Sequence, residues 1–335
     1  MPAVSIIMPV FNAATTLDEC LRSIKVQTFT DFETIVINDG SSDHSTKIIQ
    51  QYQQNDSRIK LLQPGRQGLV SALNTGILHS TSPLLARMDA DDIMHPERLK
   101  LQVDYLSKNA ETGLIASQAQ LFPEIDIKQG YQEYMNWQNA CLTHKDITTQ
   151  IYIESPFAHP SVMFRKSVLD ISGMYKEGNF PEDYDLWLRM LHAGIKMEKL
   201  DQYLLKWRDS TSRTSRVDSK YSRQAFDQLR AKYLAMENRI PRNRTLVYWG
   251  AGRKTRIRAQ LLINQGFAVS GWIDVDPDKI GNVINGAPVH APEWLQQKEK
   301  PYVLNYVNNY GAREEIEKCL REYGYRPEHD YLMIG

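Results

Sequence analysis

Toward its N-terminus the chain alternates short, almost wholly apolar runs with stretches in which apolar side chains return every three or four positions. The runs Val4 to Val10, Phe32 to Ile37, Ile59 to Leu62 and Leu84 to Met88 lack polar alternation, which predicts strands buried on both faces. Between them, Leu17, Leu21 and Ile24 follow a Thr16/Glu19 capping box, Ile48, Ile49 and Tyr52 follow the turn NDGSSD, and a helix is expected from Leu69 to His79. Pro96, at a first-turn position where its missing N–H costs nothing, opens a helix carrying Leu99, Val103 and Leu106. Strands and helices in alternation predict an α/β fold, a mostly parallel mixed sheet with helices on both faces.

The same pattern puts polar, turn-forming sequence at three strand ends: PVFN, NDGSSD and DADD. In an open α/β sheet ligands bind outside the carboxyl ends of the strands, so Asn12, Asp39 and the cluster Asp89, Asp91 and Asp92 fall on one rim. Each polar end alone reads plainly as a solvated loop or a helix cap. That does not account for carboxylates at two positions of one rim, because like charges this close repel unless something positive lies among them. Hard oxygen donors suit Mn²⁺ or Mg²⁺, which hold substrate phosphates through one or two carboxylates. A metal-bridged diphosphate leaves readily, so a nucleoside diphosphate is the implied ligand.

Composition narrows the class. The 335 residues exceed what one core usually serves, so two domains are expected. Lys plus Arg and Asp plus Glu both number 40, which argues against a general affinity for nucleic acid. Cys20, Cys141 and Cys319 lie far apart, with neither metal-ligand spacing nor an even count for a disulfide framework. MPAVSIIMPVF lacks a basic leader and no apolar run approaches membrane-spanning length. The expectation is a cytoplasmic protein, at most peripheral at the inner face of the membrane.

From Gly113 to Phe157 the pattern weakens to one apolar strand through Leu121 and then polar and aromatic sequence, YQEYMNWQ, which fits the acceptor side of a cleft and an ordinary insertion equally. It recovers at HPSVMFRKSVLDISGMY and NFPEDYDLWLRMLHAG, where Glu182 and Asp183 precede a helix bearing Leu186, Leu188 and Met190. Acidic residues there have a structural use, opposing the helix dipole. DSTSRTSRVDSKYSR is hydroxyl-rich and basic without apolar period; a helix from Asp218 to Glu237 leads into the linker-like RIPRNR. The expected division is 1–215, a helix and linker over 216–243, and a second domain over 244–335.

SIIMPVFNAATTLDECLRSIKVQT, FETIVINDGSSDHS, ALNTGI, ARMDADD, HPSVMFRKSVL and EDYDLWLRM, in this order and spacing, resemble glycosyltransferase family 2 over residues 1 to 210. The resemblance implies an A-type glycosyltransferase fold that moves a sugar from a nucleotide-diphosphate sugar, most often a UDP-sugar, to a glycan or lipid-linked acceptor with inversion at the anomeric carbon. By that resemblance Pro9, Phe11 and Asn12 line the nucleotide pocket, Asp39 reads the uracil and ribose, and Arg66 lies in the loop approaching the nucleotide. Asp89 and Asp91 correspond to the metal and ribose-binding pair, with Ala90 between them on the nucleotide side and Asp92 next to them. Asp183 corresponds to the catalytic base, and Glu182 to a residue that supports its position or touches the acceptor. The chain departs from the pattern at KWRDSTSRTS, where Asp209 and Ser210 stand in place of a histidine; Arg208, Arg213 or Arg216 are candidates to meet the diphosphate, and an ordinary solvated basic loop is the equal alternative. His159 and Trp187 read first as structural and second as acceptor-facing.

In the C-terminal part, YWGAGRKT offers Gly250 and Gly252 for a tight turn and Asp274 near the end of the next strand, the beginnings of a dinucleotide site. Thr255 holds the third glycine position, and the remaining chain is too short for a six-stranded fold. The segment resembles the small Rossmann-like domains found next to sugar-modifying enzymes. Two further functions stay open at this point: an NAD-dependent sugar-nucleotide oxidoreductase or epimerase, supported by the glycine turn alone, and a non-catalytic sugar-nucleotide binding module.

Overall fold

The computed structural model describes residues 1–335 except 124–126, 128, 210–217, 310 and 335. The chain forms two compact units, Met1–Ile147 with Ser155–Lys220, and Thr148–Glu154 with Tyr221–Gly335.

The first unit is built in chain order from β1 (Val4–Val10), α1 (Leu17–Lys25), β2 (Phe32–Asn38), α2 (Ser45–Asn55), β3 (Ile59–Leu62), α3 (Leu69–His79), β4 (Leu84–Arg87), β5 (Ile93–Met94), α4 (Arg98–Lys108), β6 (Thr112–Phe122), α5 (Gln129–Ala140), α6 (His144–Gln150), β7 (Met163–Arg165), α7 (Val168–Ser172), α8 (Glu182–His192) and β8 (Lys196–Arg208). Its sheet runs β3-β2-β1-β4-β7-β6-β8-β5. The strands β1 to β4 are mutually parallel where they pair, whereas β7 runs antiparallel to both β4 and β6. This is the expected α/β sheet with helices packed on it. The chain winds outward from β1 in both directions, so the crevice beyond the ends of β1 and β4 is a topological switch point.

Burial explains why the four N-terminal strands are legible in the sequence. Every residue of β2 is buried, and in β1 only Pro9 is partly exposed. Helix α1 turns Leu17, Cys20, Leu21 and Ile24 inward, with Asp18 and Glu19 in its first turn and Arg22 and Lys25 in its last, the arrangement its dipole favours. Each such Leu or Ile contributes about 1.5–3 kcal/mol by leaving water. Helix α3 lies so close to the sheet that a Cβ on Gly76 would meet Ile37 Cδ1 and Ile7 Cγ2 at 2.7 Å.

Local expectations fail in three places. The Thr16/Glu19 capping box does not form: Thr16 makes no side-chain cap bond, and its hydroxyl donates instead to the carbonyls of Ala13 and Ala90. Pro96 lies outside α4, whose N-cap is Glu97. Glu182 and Asp183 form the first turn of α8 rather than preceding it, behind the N-cap Pro181. The stretch YQEYMNWQ is helical, within α5, where Tyr131 stacks on Tyr134 with ring centroids 5.9 Å apart.

The second unit adds α9 (Arg223–Leu234), β9 (Leu246–Trp249), α10 (Arg253–Ile263), β10 (Gly271–Ile273), β11 (Val283–Ile284), β12 (Ala287–His290), β13 (Tyr302–Asn305), α11 (Ala312–Glu322) and β14 (Tyr331–Met333). Its sheet order is β11-β12-β10-β9-β13-β14, parallel apart from the β11–β12 hairpin. It too grows outward on both sides of its first strand. Among the described residues no helix is long and apolar enough to cross a membrane.

The packing at Gly76 gives a direct test. Gly76→Val should cost about 1–3 kcal/mol, the range for overpacking a filled core, whereas Gly130→Ala in α5, where an added Cβ meets nothing within 4 Å, should change stability little. Urea denaturation followed by circular dichroism measures both.

Candidate active site

The carboxyl ends of β1, β2 and β4 bring two groups of sequence-selected residues to the rim. At the first, Asp39 follows β2 and is buried at 3 % exposure. Its Oδ1 accepts the backbone N–H of Gly68 at 3.1 Å and that of Gln67, and its Oδ2 pairs with Arg66 Nη1. Arg66 in turn lays its guanidinium over the ring of Phe11, 3.6 Å from the centroid. Asn12 takes a left-handed conformation (φ 49°), which asparagine tolerates, and its Oδ1 accepts the N–H of Ser42 at 2.9 Å. Pro9 pairs with Ile37 in the β1–β2 register. Phe11 and Arg66 are exposed, so an aromatic face and a cation stand beside the buried Asp39 carboxylate.

The second group follows β4. Carboxylate oxygens of Asp89, Asp91 and Asp92 lie within 4.8 Å of one another. Two arginines approach them. Arg87, the last residue of β4 and 4 % exposed, forms an ion pair with Asp89. Arg208, the last residue of β8, donates its backbone N–H to Asp92 Oδ1 and its Nε to the Asp91 carbonyl, both at 2.7 Å, and pairs with Glu19. The negative field registers on Cys20 beneath the loop: burial first, and then Asp92, Asp91 and Asp89, push its thiol well above the ordinary range. A set of clustered hard oxygens with a buried scaffold behind it fits Mn²⁺ or Mg²⁺. Ala90, between the two aspartates, is buried, and its carbonyl accepts the Thr16 hydroxyl.

The acid pair opens α8. Glu182 is 2 % exposed, with His159 Nδ1 at 4.0 Å from Oε1 and Lys220 Nζ at 3.6 Å from Oε2. Asp183 is half-buried, and its Oδ1 accepts the N–H of Tyr184 at 2.7 Å. Burial, followed by the neighbouring Glu182 charge, pushes Asp183 up to about 7, while Arg87 pulls it down. Behind the pair, His159 Nε2 meets the Tyr175 hydroxyl at 2.7 Å. Burial and then Arg87 hold His159 well below its usual range, so it is neutral near pH 7. Trp187 is fully buried, edge-on to Phe157 and His159. It is core, as its helical position suggests.

One residue of the site escapes the sequence reading. Asn74, in the stretch ALNTGI, donates Nδ2 to the Tyr175 carbonyl at 2.9 Å and accepts the Tyr175 N–H at 3.2 Å. It thereby pins to α3 the loop that carries Tyr175 up to the acid pair. The signal that could have found it is an asparagine inside an apolar helix. Of the basic candidates, Arg208 reaches the aspartates, whereas Ser210, Arg213 and Arg216 lie outside the described residues.

In the second unit, Gly250 (φ 106°) could carry no side chain, since a Cβ would meet Thr255 Cγ2 at 2.7 Å and Val307 Cγ2 at 2.9 Å. Asp274 Oδ2 accepts the Ala251 N–H at 2.8 Å and Lys279 Nζ stands 3.4 Å from it. The acid that a ribose would need is thus engaged by the glycine turn itself.

Residues 5–171 match the family model of glycosyl transferase family 2. The O-antigen biosynthesis glycosyltransferase WbnJ of Escherichia coli is 32% identical over 208 residues, 61% of this chain and 79% of that protein. The chain therefore belongs to glycosyltransferase family 2 and is a glycosyltransferase. Among solved structures, S. aureus TarS 1-349 in complex with UDP-GlcNAc superposes with a TM-score of 0.55 at 16% identity, covering 79% of this chain and 72% of that one; the chain spans 43% of the longer TarS structure. The mannosyltransferase PcManGT from Pyrobaculum calidifontis, in complex with GDP-Man and Mn2+, superposes with a TM-score of 0.50 at 18% identity, covering 70% and 62%. The fold is that of the A-type glycosyltransferases.

The raised Asp183 value has a consequence for stability. Between about 4, the ordinary range of an aspartate, and about 7 the native state retains a proton that the unfolded chain has lost. Asp183 therefore costs stability as pH rises through that window. Asp183→Asn should melt above wild type at pH 8, and the gap should narrow as pH falls toward 5, as read by calorimetry.

Proposed function

We propose that this chain transfers a sugar, with inversion, from a UDP-sugar to a hydroxyl of a glycan or lipid-linked acceptor in bacterial cell-surface polysaccharide synthesis. The observation that carries the reading is the cluster of Asp89, Asp91 and Asp92, whose carboxylate oxygens lie within 4.8 Å of one another at the end of β4 in a chain of glycosyltransferase family 2. Such a cluster can hold a divalent ion under a diphosphate. Support for cell-surface polysaccharide synthesis comes from relatives, among them the O-antigen enzyme and the amylovoran biosynthesis glycosyltransferase AmsE of Erwinia amylovora. Support for the donor comes from the UDP-GlcNAc bound to TarS, and support for the ion from the Mn2+ of PcManGT.

In this reading the base of the nucleotide lies near Asp39, beside the stacked Arg66 and Phe11, with Pro9 and Asn12 at its edge. Asp89 and Asp91 would hold Mn²⁺ or Mg²⁺, with Ala90 turning the chain between them, and the bound ion would neutralise charge developing on the departing diphosphate. The acceptor oxygen attacks the anomeric carbon from the opposite face, the bond to the diphosphate oxygen breaks, and the acceptor proton passes to Asp183. A base near 7 is matched to neutral pH, since it is substantially ionised yet still binds a proton. Glu182, flanked by Lys220 and His159, fixes the start of α8 and keeps a second charge beside the base.

The catalytic function falls within residues 1–215, with 216–243 as helix and linker and 244–335 as a Rossmann-like domain. What supports this division is that every residue given a role in the transfer lies before 215, apart from the flanking Lys220. With the family established, the glycine turn stands as the only feature pointing to a nicotinamide enzyme. Action at the inner membrane face, as a peripheral protein drawing on cytoplasmic donor, belongs to the same reading.

Asp91→Ala should abolish Mn²⁺-dependent UDP binding in calorimetry while leaving a folded protein; unchanged affinity and metal dependence would remove the aspartates from the site. Asp183→Asn should keep UDP-sugar affinity within a few-fold and lose about a hundred-fold or more in turnover, the scale of a lost general base. Wild-type turnover should rise as pH passes upward through about 7, where Asp183 becomes able to accept a proton. The product should carry the anomeric configuration opposite to the donor's, and retention seen by NMR would overturn the inverting assignment.

A further inference from the structure

The side chains behind the acid pair form a line of contacts that begins on α3. Asn74 grips the backbone of Tyr175, donating Nδ2 to its carbonyl at 2.9 Å and accepting its N–H at 3.2 Å. The Tyr175 hydroxyl meets His159 Nε2 at 2.7 Å, and the other ring nitrogen, Nδ1, stands 4.0 Å from Glu182 Oε1. That last separation is too long for a hydrogen bond and acts through charge and dipole. Tyr175, His159 and Glu182 are all buried, so little water competes for these contacts, and the Trp187 ring, edge-on to the imidazole, fixes its plane. Burial pushes the Tyr175 hydroxyl up and His159 down, so near pH 7 a protonated phenol faces a neutral imidazole. A neutral imidazole carries its proton on one nitrogen, and the hydrogen bond made by the other decides which. If Nε2 held it, the buried phenol proton would have no acceptor among the described residues, and a lone pair on Nδ1 would face a carboxylate.

We propose that Tyr175 is a positioning residue for the acid pair: its hydroxyl donates to His159 Nε2 and so holds the imidazole as the Nδ1–H tautomer, which presents an N–H dipole to Glu182 at the first turn of α8. The proposal deepens the function argued above and rests on its reading of Asp183 as the base. Lys220 Nζ, 3.6 Å from Glu182 Oε2, faces the second oxygen, so the carboxylate is held from both sides. With the opposite tautomer a lone pair faces Oε1 and repels it. Glu182 and Asp183 are consecutive residues of one helical turn, so a displacement of the first is passed to the second. Asn74 acts one step further back, because it fixes the backbone from which the phenol reaches His159.

The test is NMR of the full chain at pH 8, without substrate. Long-range ¹H–¹⁵N spectra of the imidazoles, with His159 assigned by His159→Gln, give the tautomer; ¹³C carboxyl signals, assigned with Glu182→Gln and Asp183→Asn, report on the acid pair. Wild type should show His159 as Nδ1–H. Tyr175→Phe keeps the ring against His159 and removes one oxygen; it should lose the Nδ1–H pattern in favour of Nε2–H, the form an unconstrained imidazole prefers, and shift both carboxyl signals, while the other histidines stay unchanged as internal controls. Asn74→Ala should move the same readings in the same direction by a smaller amount, and it decides the matter if Tyr175→Phe fails to fold. A packing role alone predicts a lower melting temperature with the tautomer and both carboxyl signals unmoved. That result, a wild type in the Nε2–H form, or a changed tautomer with unmoved carboxyl signals would each overturn the proposal. Near-normal turnover by Asp183→Asn would instead overturn the reading of Asp183 as the base, a separate failure, because neither NMR reading depends on turnover.

Discussion

Three carboxylates whose oxygens come within 4.8 Å of one another are held at the end of one short strand, and much of the catalytic unit is arranged to make that tolerable. Positive charge comes from three directions. Arg87 supplies it from β4 itself, Arg208 from the end of β8, and Arg98 from α4, where a guanidinium at 0 % exposure donates Nη2 to the carbonyls of Arg87 and Val162 at 3.1 and 3.2 Å. Burial brings Arg98 down to about 9, because desolvation outweighs the pull of Asp92. Gln102 completes the frame by accepting from Arg98 and donating to the carbonyls of Ile115 and Ser161. The rim therefore sits on a polar scaffold that joins β4, β6 and the turn before β7, rather than on apolar packing alone.

That scaffold explains how one sheet edge serves two chemistries. The Asp39 carboxylate is held by backbone N–H groups of the loop after β3, so its position follows from the parallel half of the sheet. The acid pair arrives by a different route, on a helix that follows the antiparallel strand β7, and Asn74 ties its approach loop back to α3. On the proposed reading, the parallel half offers a place for the nucleotide and the antiparallel half carries the proton acceptor.

The four N-terminal strands are legible because burial on both faces leaves an unbroken apolar run that no helix or loop of the same length would carry. Asp39, Asp89 and Asp91 are legible because they follow such runs directly. What cannot be read is anything decided by distant partners. The Asn74 amide is spoken for by a residue 101 positions away. Thr16 looks like a cap because its sequence neighbours fit one, yet a carbonyl 74 positions off takes its hydroxyl. The two-residue β5 is too short for any period, and α5, with aromatic and amide side chains around its surface, shows none.

The seven residues Thr148–Glu154 leave the catalytic unit and return to it, and in between they belong to the other unit. There Arg230 donates to the Ile153 carbonyl, Tyr152 donates its hydroxyl to Glu237, and Arg239 donates to the Thr148 carbonyl. A module completed by a peptide from the interior of its neighbour's sequence cannot be traded between chains as a cassette. A single crossover in the region of the linker would hand the recipient a body with a missing staple and leave the donor with a loop whose binding partners are gone. Shuffling by recombination would then favour inheritance of the pair as a whole, and anyone grafting this C-terminal module onto another transferase would have to carry the loop across with it.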